Sequence, residues 1–212
     1  MTCLVIAPNI VNSIVNVTLN GSSVEWMNSV KYLGIWICAG KYFHLDLSEV
    51  RRKFFMSVNS ILSKCKYTND IVKLQLLESH CLPILLYATE CLVLPVSQIK
   101  ELNSWWNSVY RKIFNYNKWE SVKCLIYYLN RLDVHRIINL KQMSFIKRMS
   151  SSECSNVTFR NILNNFMNSG KLLTIINKFD CKLNWTVNKI KSNLHLSFKN
   201  TLSFNIIVVI RL

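Results

Sequence analysis

The apolar residues of this chain change their spacing once, close to residue 40, and that change sets what the chain can fold into. Before it, Leu33, Ile35 and Ile37 recur at every second position, the period of a strand with one buried face. After it, Leu47, Val50, Phe54, Val58 and Ile61 are separated by 3, 4, 4 and 3 residues, which draws one face of an α-helix. The strand part begins with the apolar run Cys3 to Ala7, closed by Pro8-Asn9. Val15, Val17 and Leu19 then alternate with polar neighbours, and Val24 and Trp26 follow. Between them Asn20-Gly21 predicts a type I′ hairpin turn, because both residues tolerate positive φ. Val30 to Ile37 reads as one further strand, with Gly34 marking a bulge or a close backbone approach.

The helical part is longer. Asn69 or Asp70 is placed to cap a helix carrying Ile71, Leu74, Leu77, Cys81, Leu85 and Ala88, which Pro83 kinks or splits. Pro95 and Ser97 mark the next boundary, and Ile99, Leu102, Trp106, Val109 and Ile113 form the next stripe. Residues 119–130 and 134–149 predict two more helices; 161–167 and 172–190 show looser helical spacing after the linker-like Ser150-Ser151-Ser152. Three prolines and four glycines in 212 residues favour long helices over a many-turned β fold. The expectation is an α+β, predominantly α chain: a small antiparallel β element over 1–40, a helical bundle over 41–149 and a basic extension over 150–212. By itself the β element leaves a strand edge and apolar surface open, which predicts poor solubility or dependence on a partner.

Charge adds a functional constraint. Lys and Arg number 26 against 11 Asp and Glu, a net charge of +15. Residues 1–40 are neutral, 41–150 hold 17 basic and 8 acidic side chains, and 151–212 hold 8 and 2. An excess of this size on the helical part predicts a polyanion partner, with an anionic membrane surface or acidic protein partners as the alternative. Two basic groups stand out. Arg51, Arg52, Lys53, Lys64 and Lys66 form the first; Arg111, Lys112, Lys118 and Lys123 form the second, beside Trp105, Trp106, Tyr110, Tyr116 and Trp119. The cations suit phosphates and the aromatics suit unpaired bases. Trp106 lies on an apolar stripe and is expected in the core; Trp105 lies off it, open to either role.

Other chemistry has little to stand on. Asp46, Asp70, Asp133 and Asp180 are scattered, no two aspartates are adjacent, and each reads as a helix cap or a solvated residue. His44, His80, His135 and His195 lack a nucleophile motif, and no phosphate-binding glycine loop occurs. Eight cysteines contain no C-x-x-C pair, so a zinc knuckle is not expected; reduced, buried thiols are. The opening M-T-C-L-V-I-A-P is not signal-like, and the sequons at Asn16 and Asn184 read as chance matches, so an intracellular, nuclear or cytoplasmic protein is expected. The apolar stretch Cys81 to Val96 is broken by Pro83, Glu90 and Pro95, and no transmembrane segment is predicted.

The order of these features resembles the palm edge and thumb of reverse transcriptases of non-LTR (LINE-like) retrotransposons. The hairpin and the "K-Y-L-G" strand near the primer grip match Val17 to Ile37, with Lys31, Tyr32, Leu33 and Gly34 as the motif residues. An "R-x-x-F…N-x-I" helix matches Arg51, Phe54 or Phe55, Asn59 and Ile61. A third motif matches Leu76, Ser79, Pro83, Leu85, Leu86, Tyr87 and Glu90, and a fourth Leu102-Asn103, Asn107 and Arg111 to Phe114. Together they cover about residues 3–149. The resemblance implies a thumb-like bundle that clasps RNA or an RNA–DNA duplex, with other retrotransposon segments supplying the palm. In the intact family enzyme aspartates hold Mg²⁺; the Asp of an early palm strand and the Tyr-x-Asp-Asp turn have no counterpart among the matched residues. The implied chain is therefore a truncated, non-catalytic piece of an RNA-directed DNA polymerase, without a metal or cofactor of its own.

Overall fold

The computed structural model describes residues 2–4, 18–92, 94–151, 177 and 185–202. Among the described residues, seven short strands come first: β1 (Thr2–Cys3), β2 (Thr18–Leu19), β3 (Ser22–Ser23), β4 (Glu25–Trp26), β5 (Ser29–Tyr32), β6 (Ile35–Cys38) and β7 (His44–Asp46). Seven described helices follow: α1 (Ser48–Lys64), α2 (Asp70–His80), α3 (Leu82–Leu85), α4 (Val96–Ile113), α5 (Lys123–Tyr128), α6 (Val134–Ser151) and α7 (Val187–Asn200). The fold is α+β and predominantly α, with its strands at the start. The stretches at 5–17 and 152–176, Asp180 and the apolar run 206–210 lie outside the described residues.

The β2–β3 hairpin turns at Asn20-Gly21, with φ 50° and 80°, so both central residues are left-handed as a type I′ turn requires. β1 pairs in parallel with β4, Thr2 opposite Glu25. β5, β6 and β7 form a three-stranded antiparallel sheet. Here the single strand expected over Val30 to Ile37 is corrected. The chain reverses at Leu33-Gly34, with φ 46° and 82°, so Tyr32 faces Ile35 and Val30 faces Ile37 across a second two-residue hairpin. Of the four residues expected in a primer-grip-like strand, only Lys31 and Tyr32 lie in a strand; Leu33 and Gly34 are its turn. Positive φ is costly for leucine. Two contacts hold the turn: the Tyr87 hydroxyl donates to the Leu33 carbonyl at 3.2 Å, and a Cβ on Gly34 would lie 3.9 Å from the Tyr87 ring. The reversal lets Ile35, Ile37 and Leu45 share the face that packs on the bundle, while Leu33 is carried to an exposed tip.

β7 lies beyond residue 40, so the sheet crosses the division expected there. Its outer edge is not open at Leu45: buried Gln98 of α4 donates from Nε2 to the Leu45 carbonyl at 2.6 Å, and its Oε1 accepts from the Leu45 amide at 3.5 Å. A side-chain amide thus stands in for a missing strand.

The stripes of α1 and α4 behave as their spacing predicts, whereas the one from Ile71 ends at Leu85, with Ala88 beyond it at φ 58° and Ile71 exposed. The helix expected over 119–130 spans only Lys123–Tyr128. Phe54 and Val58 of α1, Leu74 and Leu77 of α2, and Leu102, Trp106 and Val109 of α4 meet in one core. Asn69 caps α2, its Oδ1 accepting from Ile71 N at 2.8 Å, while Asp70 pairs with Lys73 in the first turn. Pro83 splits the long stripe: α2 stops at His80 and α3 restarts with the proline in its first turn, where its missing N–H costs nothing. α1 and α4 run parallel as neighbours. Phe55 meets Trp105, Phe54 meets Trp106, and further along Asn59 accepts from Lys112 Nζ at 2.9 Å.

The last described helix is not a separate extension. Ile190 and Leu194 of α7 pack with Leu132 and Met143, and Phe198 joins the main core. Arg136, with an 8 % exposed side chain, fastens it. Its guanidinium pairs with Asp133 at 2.6 Å, lies 4.5 Å from the Phe198 ring centroid, and donates to the Ser197 carbonyl and the Thr201 hydroxyl at 3.3 and 3.2 Å. Lys147 adds a bond from Nζ to the Trp185 carbonyl at 2.7 Å.

Candidate nucleic-acid interface

The nine cations singled out in the sequence fall into two places. Arg51, Arg52 and Lys53 lie near the start of α1; Lys64 and Lys66 lie at its far end, about 20 Å along the axis at 1.5 Å per residue. Asn59, in the second half of α1, meets Lys112 in the last turn of α4, which also carries Arg111. The connection to α5 folds back onto this end, since Arg111 Nε donates to the Glu120 carbonyl at 2.9 Å. Lys118 belongs to that connection, and Lys123 opens α5. Arg111, Lys112 and Lys118 are thus gathered at the end of α4, and Lys112 reaches Asn59 in the second half of α1, the helix that Lys64 and Lys66 close.

Ion pairing separates Lys53 from the other eight cations. Glu49 takes Lys53 at 2.7 Å and Lys31 at 3.0 Å, and accepts from Trp36 Nε1 at 3.0 Å. These donors, Lys53 foremost, hold the Glu49 carboxyl down to about 2, so it is ionised throughout the physiological range. Lys73, Arg131, Arg136 and Arg148 are paired with Asp70, Glu78, Asp133 and Glu90. Among the described residues, no carboxylate lies within ion-pair distance of Lys64, Lys66, Arg111, Lys112, Lys118 or Lys123. Helix C-termini accommodate one or two such cations through the dipole, each contributing about 0.3–1 kcal/mol. That rationalises Lys64, Arg111 and Lys112 as helix-end residues; the nearby Glu120 carboxylate is engaged by Asn117 and forms no ion pair with the group.

At the other end Arg51 lies over the Trp105 ring at 5.8 Å, and Arg52 is exposed. At 3.6 residues per turn, Arg51 stands about 160° round α1 from Lys53, so even the run Arg51-Arg52-Lys53 does not present one charged face. The primer-grip-like Lys31 is occupied by Glu49 and lies 5.5 Å from the Trp36 ring.

The aromatics divide sharply. Trp105, Trp106 and Tyr110 are all buried, so Trp105 takes the core role that its off-stripe position left open. Trp119 is 87 % exposed. Sequence inspection did not select the lysines of α7: Lys189, Lys191 and Lys199 are exposed between the buried Ile190, Leu194 and Phe198, and His195 stacks on Tyr127 of α5 at 4.6 Å. That alternation was the available signal. Asn130, Asn188, Lys191, Ser192 and His195 line a small polar cleft of about 350 Å³ there.

The carboxylates do not converge. Asp46 Oδ1 accepts from Ser48 N at 2.9 Å before α1, Asp70 opens α2, and Asp133 Oδ1 accepts from Arg136 N at 2.9 Å at the start of α6. Asp46 and Asp133 bond the amides at their helix starts as caps do, while Asp70 pairs with Lys73 in the first turn of α2, which Asn69 caps. Among the described residues, no three His, Cys, Asp or Glu side chains are placed to hold a metal ion; a two-ion carboxylate cradle does not fit there. A cleft of about 430 Å³ between sheet and bundle is lined mostly by apolar residues such as Ile35, Leu45, Leu85 and Leu94, with Glu49 and Lys53 also on its wall. Cys38, Cys65, Cys81, Cys91 and Cys124 form no disulfide; of these Cys81 is buried, which pushes its thiol up, while Cys91 is exposed, which corrects the expectation of uniformly buried thiols. Among the described residues, no helix is long and apolar enough to cross a membrane. A scan against protein-family models, a search of curated proteins and a search of solved structures each gave no match to this chain.

Proposed function

We propose that this chain binds the sugar–phosphate backbone of RNA or an RNA–DNA duplex at the C-terminal ends of α1 and α4, as a non-catalytic relative of the thumb of non-LTR retrotransposon reverse transcriptases. The observation that carries this reading is that Lys64 and Lys66 at the end of α1, and Arg111, Lys112, Lys118 and Lys123 around the end of α4, have no carboxylate within ion-pair distance among the described residues, a state they share with Arg51, Arg52 and the lysines of α7. Such a surface is stabilised when phosphates supply the missing charge and condensed counterions are released. Lys112, held in place by Asn59, and Arg111, tied to Glu120, present their charges from ordered positions rather than from free tails.

The test is the salt dependence of binding. Log affinity for an RNA–DNA duplex should fall linearly with log salt, by roughly 0.7–0.9 for each phosphate neutralised. Replacing Lys64, Lys66 and Lys112 together by glutamine should weaken binding and flatten the slope by about 2–3. Replacing Lys31 and Lys53 should change the slope little. Absent or salt-independent binding of the wild-type chain would count against the reading. Flotation with anionic vesicles in the absence of duplex binding would favour a membrane-surface role.

A further inference from the structure

The connection between α4 and α5 is short, tightly bonded, and built around one tryptophan in water. Phe114, Tyr116 and Val122 anchor it to the core. Between them Asn117 and Glu120 close a turn: Glu120 Oε2 accepts from Asn117 N at 2.6 Å, Oε1 accepts from Asn117 Nδ2 at 3.0 Å, and Glu120 N donates to Asn117 O at 3.1 Å. Arg111 then ties the Glu120 carbonyl to α4. Trp119 rides on this turn at 87 % exposure. Its surroundings forgo the burial that stabilises Trp105 and Trp106 nearby.

Two features define what such an indole suits. Lys118 Nζ lies 5.1 Å from the ring centroid, a cation against the π system. Its chain neighbours Asn117, Lys118, Glu120 and Ser121 are exposed and polar, so the turn itself contributes no apolar patch around the ring. Insertion into lipid or a protein hot spot needs such a patch; stacking on a flat aromatic base needs only an accessible ring face, with charge nearby for the adjoining phosphate.

We propose that Trp119 is a stacking platform for a base in a single-stranded stretch of nucleic acid that leaves the backbone-binding lysines. This rests on the backbone reading above, and the experiment separates the two. Binding of the full chain is measured to a blunt RNA–DNA duplex and to the same duplex with a single-stranded extension. In the wild type the extension should tighten binding about tenfold, the scale of stacking one base on an aromatic side chain. Trp119→Ala should abolish that preference, Trp119→Phe should keep most of it, and both should leave blunt-duplex affinity and its salt slope unchanged. Equal wild-type affinity for the two duplexes, or an extension preference that survives Trp119→Ala, overturns the stacking role alone. A wild-type chain that binds neither duplex overturns the backbone reading and this one with it. Capture by phosphatidylserine vesicles that is lost in Trp119→Ala, with the duplex preference intact, reassigns the indole to a lipid surface and also overturns the proposal.

Discussion

Replacing Trp106 by alanine should cost about 4 kcal/mol of folding stability, the range for removing a large aromatic from a packed interior. Trp106 is 1 % exposed and sits where α1 and α4 meet, its ring centroid 6.2 Å from Phe54 and 5.8 Å from Tyr110. Its loss opens a cavity at the seam that makes the two helices parallel neighbours. The neighbouring rings are large and fixed by other contacts, Phe54 against Phe55 and Tyr110 against Phe114, so they cannot simply collapse into the space. The consequence reaches the interface, because Asn59 and Lys112 meet across the same seam. In urea unfolding followed by far-UV circular dichroism, the midpoint should fall with the slope unchanged. The control is Trp119→Ala, which should change stability by less than about 0.5 kcal/mol because its side chain is in water. A loss below about 1 kcal/mol for Trp106→Ala would remove it from the core.

Arg136→Ala should have the next largest effect, about 3 kcal/mol, and the loss should be local. The guanidinium is the polar staple between α6 and α7, with Asp133, Ser197 and Thr201 as partners and Phe198 beneath it. Truncation leaves the half-buried Asp133 carboxylate without its counter-charge, and deprives the Ser197 carbonyl and the Thr201 hydroxyl of a donor. Lysine should not restore the contact, because one ammonium cannot reproduce a planar group that pairs, donates sideways and stacks at once. Amide hydrogen exchange resolves the locality: α7 amides should lose protection while those of α1 and α4 keep theirs. Unchanged protection in α7 would show that apolar packing of Ile190, Leu194 and Phe198 holds the helix without the arginine.

How much of this was readable beforehand depends on whether a feature is local. The Asn20-Gly21 turn and the stripes of α1 and α4 follow from neighbouring residues alone, and the structure places them as expected. The hairpin at Leu33-Gly34 was not read, because Leu33, Ile35 and Ile37 alternate as one strand would, and a leucine at φ 46° offers no compositional sign of a turn. β7 was missed for a related reason: three residues alternate just before a helix whose stripe claims Leu47. Most of the helical stretch expected over 172–190 lies outside the described residues, and the described helix α7 carries its apolar face past residue 190 through Phe198. The candidate interface shows the limit most plainly. Lys53 and Lys64 look like one basic group in the sequence, yet one is held by Glu49 and the other closes α1 with no carboxylate partner among the described residues. Which cations are neutralised depends on carboxylates that the fold brings in from elsewhere, and no spacing rule carries that information.

Chemical footprinting of the lysines tests the central claim most directly. The chain is acetylated briefly with and without a saturating RNA–DNA duplex, and the extent at each lysine is read by mass spectrometry. Protection should concentrate on Lys64, Lys66, Lys112, Lys118 and Lys123, while Lys31 and Lys53, already engaged by Glu49, should react equally in both samples. Unchanged reactivity at the bundle end, or protection centred on Lys31 and Lys53, would contradict the account.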